Sequence, residues 1–74
     1  MTEALIDHAR TLDADAAALA DRAGKLRALA ARLREQDAPP WVFHALNDHI
    51  TACVIASNDL AEAAARLYSR AVTP

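Results

Sequence analysis

Residues 5–33 read LIDHARTLDADAAALADRAGKLRALAARL. Leucine recurs at every seventh position, Leu5, Leu12, Leu19, Leu26 and Leu33, and alanine follows the first four of these by four residues, at Ala9, Ala16, Ala23 and Ala30. An apolar pair that repeats every seven residues keeps one stripe of an α-helix turned toward one partner, as in the seam of a coiled coil. The stretch predicts one long helix that packs along its whole length.

Working outward, Thr2 is a candidate N-cap, and Glu3 and Asp7 suit the positive end of the helix dipole. The acids Asp7, Asp13, Asp15 and Asp21 lie in the first half, while Arg22, Lys25, Arg27, Arg32 and Arg34 crowd the second. Gly24 is the only glycine and costs about 1 kcal/mol against alanine inside a helix. Pro39-Pro40 is the one strong breaker, and proline is well tolerated in a first helical turn, where its missing N–H has no partner to lose. The expected organisation is a single helical-hairpin domain over residues 1–74: a first helix at about 3–36, a turn at 37–39 and a second helix at about 40–71.

The second helix carries two rows of its own, Phe43, Ile50, Ser57, Ala64 and Ala71, and Leu46, Cys53, Leu60 and Leu67. Folding the chain at Ala38 and pairing residues whose numbers sum to 76 sets every seam residue opposite another. The layers run Leu33/Phe43, Ala30/Leu46, Leu26/Ile50, Ala23/Cys53, Leu19/Ser57, Ala16/Leu60, Leu12/Ala64, Ala9/Leu67 and Leu5/Ala71. Most layers set a large side chain against a small one, which fills space without voids. The fold class is all-α, an antiparallel, coiled-coil-like two-helix hairpin. Ala23/Cys53, with Gly24 and Ser57 nearby, predicts a narrow waist where the helices approach closely.

A chain of 74 residues buries a modest core, and chains of this size commonly add disulfides, a metal or a second subunit. Cys53 is the only cysteine, so an internal disulfide is impossible. The off-seam residues Ile6, Leu29, Trp41, Val42, Val54 and Ile55 cannot all be covered by a two-helix hairpin. Trp41-Val42 and Val54-Ile55 suggest a contiguous apolar patch. The expected partner is a second hairpin, in a homodimer or a hetero-oligomer with another helical protein, giving a four-helix bundle. The free-terminus end is acidic and the loop end mildly basic, so copies laid head to tail complement each other.

Net charge is −2, which lacks the basic footprint of a nucleic-acid binder. The alternative function is a small nucleic-acid-binding regulator using Arg22, Lys25, Arg27, Arg32 and Arg34, but no aromatics interleave with them to stack on bases. No apolar run is long enough to span a bilayer, and the start lacks the basic and apolar segments of a secretory signal. A soluble protein is expected, cytoplasmic or exported without a cleaved signal peptide. His49 and Cys53 share a helix face at metal-ligand spacing, yet two ligands make no site, and Cys53 reads better as a small seam residue. No catalytic, cofactor or metal site is expected, and the chain is read as a non-enzymatic interaction module.

Met1-Thr-Glu at the start, Trp41 in the linker region, and the helix ending Leu60-Ala-Glu-Ala-Ala-Ala-Arg-Leu-Tyr68 resemble the Trp-x-Gly helical hairpins of type VII secretion substrates and their actinobacterial relatives. Where that family has Trp-x-Gly, this chain has Trp41-Val42-Phe43, and Val72 stands where its export signal has an acidic residue four after tyrosine. The resemblance implies a helical dimer, often with a paired partner, and a link to type VII secretion.

Overall fold

The computed structural model describes residues 2–73; Met1 and Pro74, which belong to the expected domain, lie outside the described residues. The chain forms two helices, α1 (Thr2–Glu35) and α2 (Pro40–Val72), packed side by side in an antiparallel hairpin with Cα extents of 57 × 14 × 12 Å. Each observed boundary falls within one residue of its expectation. Thr2, read as an N-cap, is already inside α1.

The turn is a helix C-cap of the Schellman type. The Ala38 N–H donates to the Leu33 carbonyl at 3.1 Å and the Asp37 N–H to that of Arg34 at 3.3 Å. These two bonds occupy carbonyls that the end of a helix leaves without partners. The motif needs a left-handed residue between them, and Asp37 supplies it with φ 55°. Glycine is usual there; aspartate is among the few other residues that tolerate it. Pro39 then caps α2 in an extended conformation, φ −62° and ψ 149°, with Pro40 in the first helical turn.

Small residues, not leucines, make the buried line. Ala9, Ala16, Ala23 and Ala30 are the buried residues of α1, facing Ile50 and Ala64, those of α2. With nothing beyond Cβ on the α1 row, the helices come close enough for Ser57 Oγ to donate a 2.8 Å hydrogen bond to the Ala16 carbonyl. Ser57 was expected in a layer with Leu19, one turn further along, so the observed contact agrees with the summed register to within a turn. Near the loop the Arg34 guanidinium lies 5.4 Å from the centre of the Phe43 ring, a cation–π distance. Ala23, at the expected waist, is buried, and Gly24 takes no part in packing there: a Cβ at Gly24 would meet nothing within 4 Å.

All three ion pairs among the described residues lie within single helices: Asp7–Arg10 at 3.5 Å, Asp21–Lys25 at 3.0 Å and Glu62–Arg66 at 2.7 Å. Exposed pairs of this spacing contribute about 0.3–0.5 kcal/mol each. They support the helices and do nothing to align one with the other. Alignment comes from the alanine row, Ser57 and the turn.

Two substitutions test this account by urea denaturation. Gly24→Ala should raise stability by up to about 1 kcal/mol, since it removes helix-interior glycine without meeting a neighbour. Asp37→Gly should raise it by about 0.5–1 kcal/mol through relief of the left-handed backbone and removal of a carboxylate from the negative end of α1. A loss of stability with Asp37→Gly would contradict the cap geometry.

Candidate functional site

On α1 the alanine row is buried and the leucine row is not; on α2 only Ile50 and Ala64 of the inner row are buried, and Phe43, Ser57 and Ala71 are half-buried. Ala9, Ala16, Ala23 and Ala30 face Phe43, Ile50, Ser57, Ala64 and Ala71 along the inner line. The other rows, Leu5, Leu12, Leu19, Leu26 and Leu33 on α1 and Leu46, Cys53, Leu60 and Leu67 on α2, are all only half-buried. Of the expected seam residues Ile50 is buried, while the leucines, Phe43 and Cys53 are half-buried.

Helical spacing decides on which side the leucine rows lie. At 100° per residue, the leucine row of α1 lies on one side of its alanine row. Because α2 runs the opposite way, its leucine row comes to the same side of the hairpin. The surface bears this out. One shallow groove is lined by Asp15, Ala18, Leu19 and Arg22 from α1 with His49, Cys53 and Leu60 from α2. The opposite side of the hairpin holds a smaller depression lined by Ala20, Ala23, Arg27, Val54, Ser57 and Asn58. One face is thus edged by leucines from both helices; the depression on the other is lined by alanines, Val54, Ser57, Asn58 and Arg27.

The expected interface residues do not gather on one surface. Leu29 and Val42 flank the leucine face. Ile6 and Val54 lie on the opposite side, both half-buried, with Val54 in the smaller depression. Trp41 and Ile55, 69% and 56% exposed, share the outer row of α2. Fourteen residues at 1.5 Å each put them about 21 Å apart, with Asp48 between them in the same row. The contiguous patch expected from Trp41-Val42 and Val54-Ile55 is therefore two separate spots. Leu29 is 36% exposed.

His49 and Cys53 do lie together on the leucine groove, Cys53 half-buried as a free thiol. Among the described residues no three His, Cys, Asp or Glu side chains converge in a way that would hold a metal ion. The basic residues Arg22, Lys25, Arg27, Arg32 and Arg34 are all exposed and spread over several sides of α1, so they form no single stripe.

On the side away from the groove, Tyr68 is half-buried beside α1. Desolvation first, and then the Asp13 carboxylate, hold its phenol above the ordinary value of 10.0, with Arg10 pulling the other way. A raised phenol pKa favours the neutral form in the folded chain. The stabilisation is complete below pH 10 and is lost as pH rises through the folded pKa. An ultraviolet titration should place Tyr68 above its free value, and Asp13→Asn should bring it part of the way back. An unchanged titration in Asp13→Asn would mean that Asp13 and Tyr68 are not neighbours across the two helices.

No helix among the described residues is long and apolar enough to cross a membrane. No protein-family model matches the chain, and no curated protein or solved structure matches it.

Proposed function

We propose that this chain is a non-enzymatic helical interaction module, which completes its core by pairing with a second helical hairpin into a four-helix bundle. The observation that carries this reading is surface left uncovered. A compact monomer of this mass, 7.9 kDa, exposes about 4,400 Å² by the usual scaling, whereas the hairpin exposes 5443 Å². The surplus, about 1,000 Å², is close to the ~800 Å² that one partner loses in a standard protein interface. The half-buried leucine rows are apolar surface that a second layer of helices would cover. The radius of gyration agrees: 16.7 Å against about 11 Å for a compact domain of this length.

The resemblance to the Trp-x-Gly hairpins supports the same reading, since those proteins act as helical pairs, and it adds a proposed link to type VII secretion. An enzymatic role has less support. The depressions between the helices open widely to solvent.

Sedimentation of the purified chain, together with pull-down from native cells, tests the proposal. The expected result is a species of about 16 kDa, two chains of 7.9 kDa, or a stoichiometric complex with another helical protein. A well-folded monomer at high micromolar concentration, with no stoichiometric protein partner, overturns it. Retention of RNA or DNA at low salt by such a monomer would favour a nucleic-acid-binding regulator instead.

A further inference from the structure

The leucine face has a self-complementary layout. We infer that it seats a second copy of this chain, related by a two-fold axis that crosses the face near Leu19 and sets the two loops at opposite ends. This rests on the module reading above and deepens it by naming the surface, the occupant and the orientation.

Three observations converge. First, the leucine rows of both helices come into register about one axis. If Leu19 meets its own symmetry mate, Leu12 meets the partner's Leu26 and Leu5 meets the partner's Leu33. The hairpin register near 76 then brings Leu46 toward the partner's Leu67 and Cys53 toward the partner's Leu60, to within the turn by which the Ser57–Ala16 contact departs from that register. A self-complementary patch of this kind is what a two-fold interface requires.

Second, charge selects the orientation. Asp15 and Arg22 border the groove on the same helix, are both exposed, and neither takes part in any of the ion pairs among the described residues. The same axis sets Asp15 against the partner's Arg22, and Arg22 against the partner's Asp15. Laying the loops at the same end instead would set Asp15 and Arg22 against the partner's α2, whose groove lining of His49, Cys53 and Leu60 offers neither of them an oppositely charged aspartate, glutamate, lysine or arginine. The whole rod agrees: Glu3, Asp7, Asp13, Asp15, Asp59 and Glu62 outnumber Arg10, Arg66 and Arg70 in the free-end half, leaving −3, while the loop half carries +1. Opposed loops pair these halves, which steers association and suppresses the other arrangement.

Third, the area suffices. A face of 57 × 14 Å offers a footprint of about 800 Å² per copy, a standard interface. Ala18, exposed at the groove's edge, and Ala56 and Ala63 beside the α2 leucine row leave room for helices to approach.

A charge-reversal cycle on the full chain tests the arrangement, with folding checked by circular dichroism. Asp15→Arg and Arg22→Asp each turn two attractive contacts per dimer into repulsive ones. Each variant alone should dimerise about five- to tenfold more weakly at low salt, an effect that ~1 M salt removes. Mixed in equal amounts, the two variants should form a heterodimer with wild-type affinity, because both pairs are restored between unlike copies. Trp41→Ala, on the outer row of α2, should leave dimerisation unchanged. A dimer whose stability ignores both reversals, or a mixture that shows no preference for unlike copies, overturns this orientation and leaves the module reading standing. A folded wild-type monomer at high micromolar concentration overturns the inference outright, and the module reading falls with it only if no other protein partner is recovered.

Discussion

The closeness of the two helix backbones is the constraint on which the rest of the structure depends. It follows from four alanines spaced seven apart on α1. A methyl group is the largest thing they place between the helices, and the Ser57 hydroxyl therefore reaches the Ala16 carbonyl at 2.8 Å. A leucine in that row would push α2 outward by more than a hydrogen bond can bridge. The carbonyl already serves its own helix, so Ser57 uses its second lone pair and interrupts nothing. Packing density and polar satisfaction are achieved by the same step.

That closeness has a geometric cost. Two cylinders pressed together leave a V-shaped channel on each side, and side chains too large for the contact line must stand in a channel. Here the leucines of both helices stand in the same one. The hairpin is consequently two-faced: one side is edged by leucines and cysteine, and the other holds alanines, Ser57 and the half-buried Ile6, Val54 and Tyr68. An isolated hairpin of this length keeps its shape because each helix is well made, with alanine-rich composition and ion pairs one turn apart. It does not thereby cover its apolar surface.

Much of this was legible in the letters. The heptads of α1 and α2, the break at Pro39-Pro40 and the matching of large with small across the seam are all properties of spacing, and spacing survives folding. What escaped depends on three-dimensional detail. The left-handed Asp37 is invisible because aspartate is not the residue that position usually takes, and only the pair of hydrogen bonds to Leu33 and Arg34 reveals it. Gly24 was grouped with the narrow waist by proximity in sequence, yet it faces open space. Trp41 and Ile55 were grouped by hydrophobicity, although two full heptads of rise separate them. The shared side of the two leucine rows was available from the 100° helical step, but only after the antiparallel direction of α2 is applied to it.

The ion pairs carry a consequence for how such a protein can change. Each lies within one helix, so no ion pair among the described residues sets the mutual alignment of α1 and α2. The fold is written in alanine, leucine and one serine; orientation toward a neighbour is written in rim residues such as Asp15 and Arg22. Two separate alphabets allow separate drift. A duplicated gene could exchange a few rim charges and acquire a new neighbour, or refuse its old one, while every residue that shapes the hairpin stayed as it was.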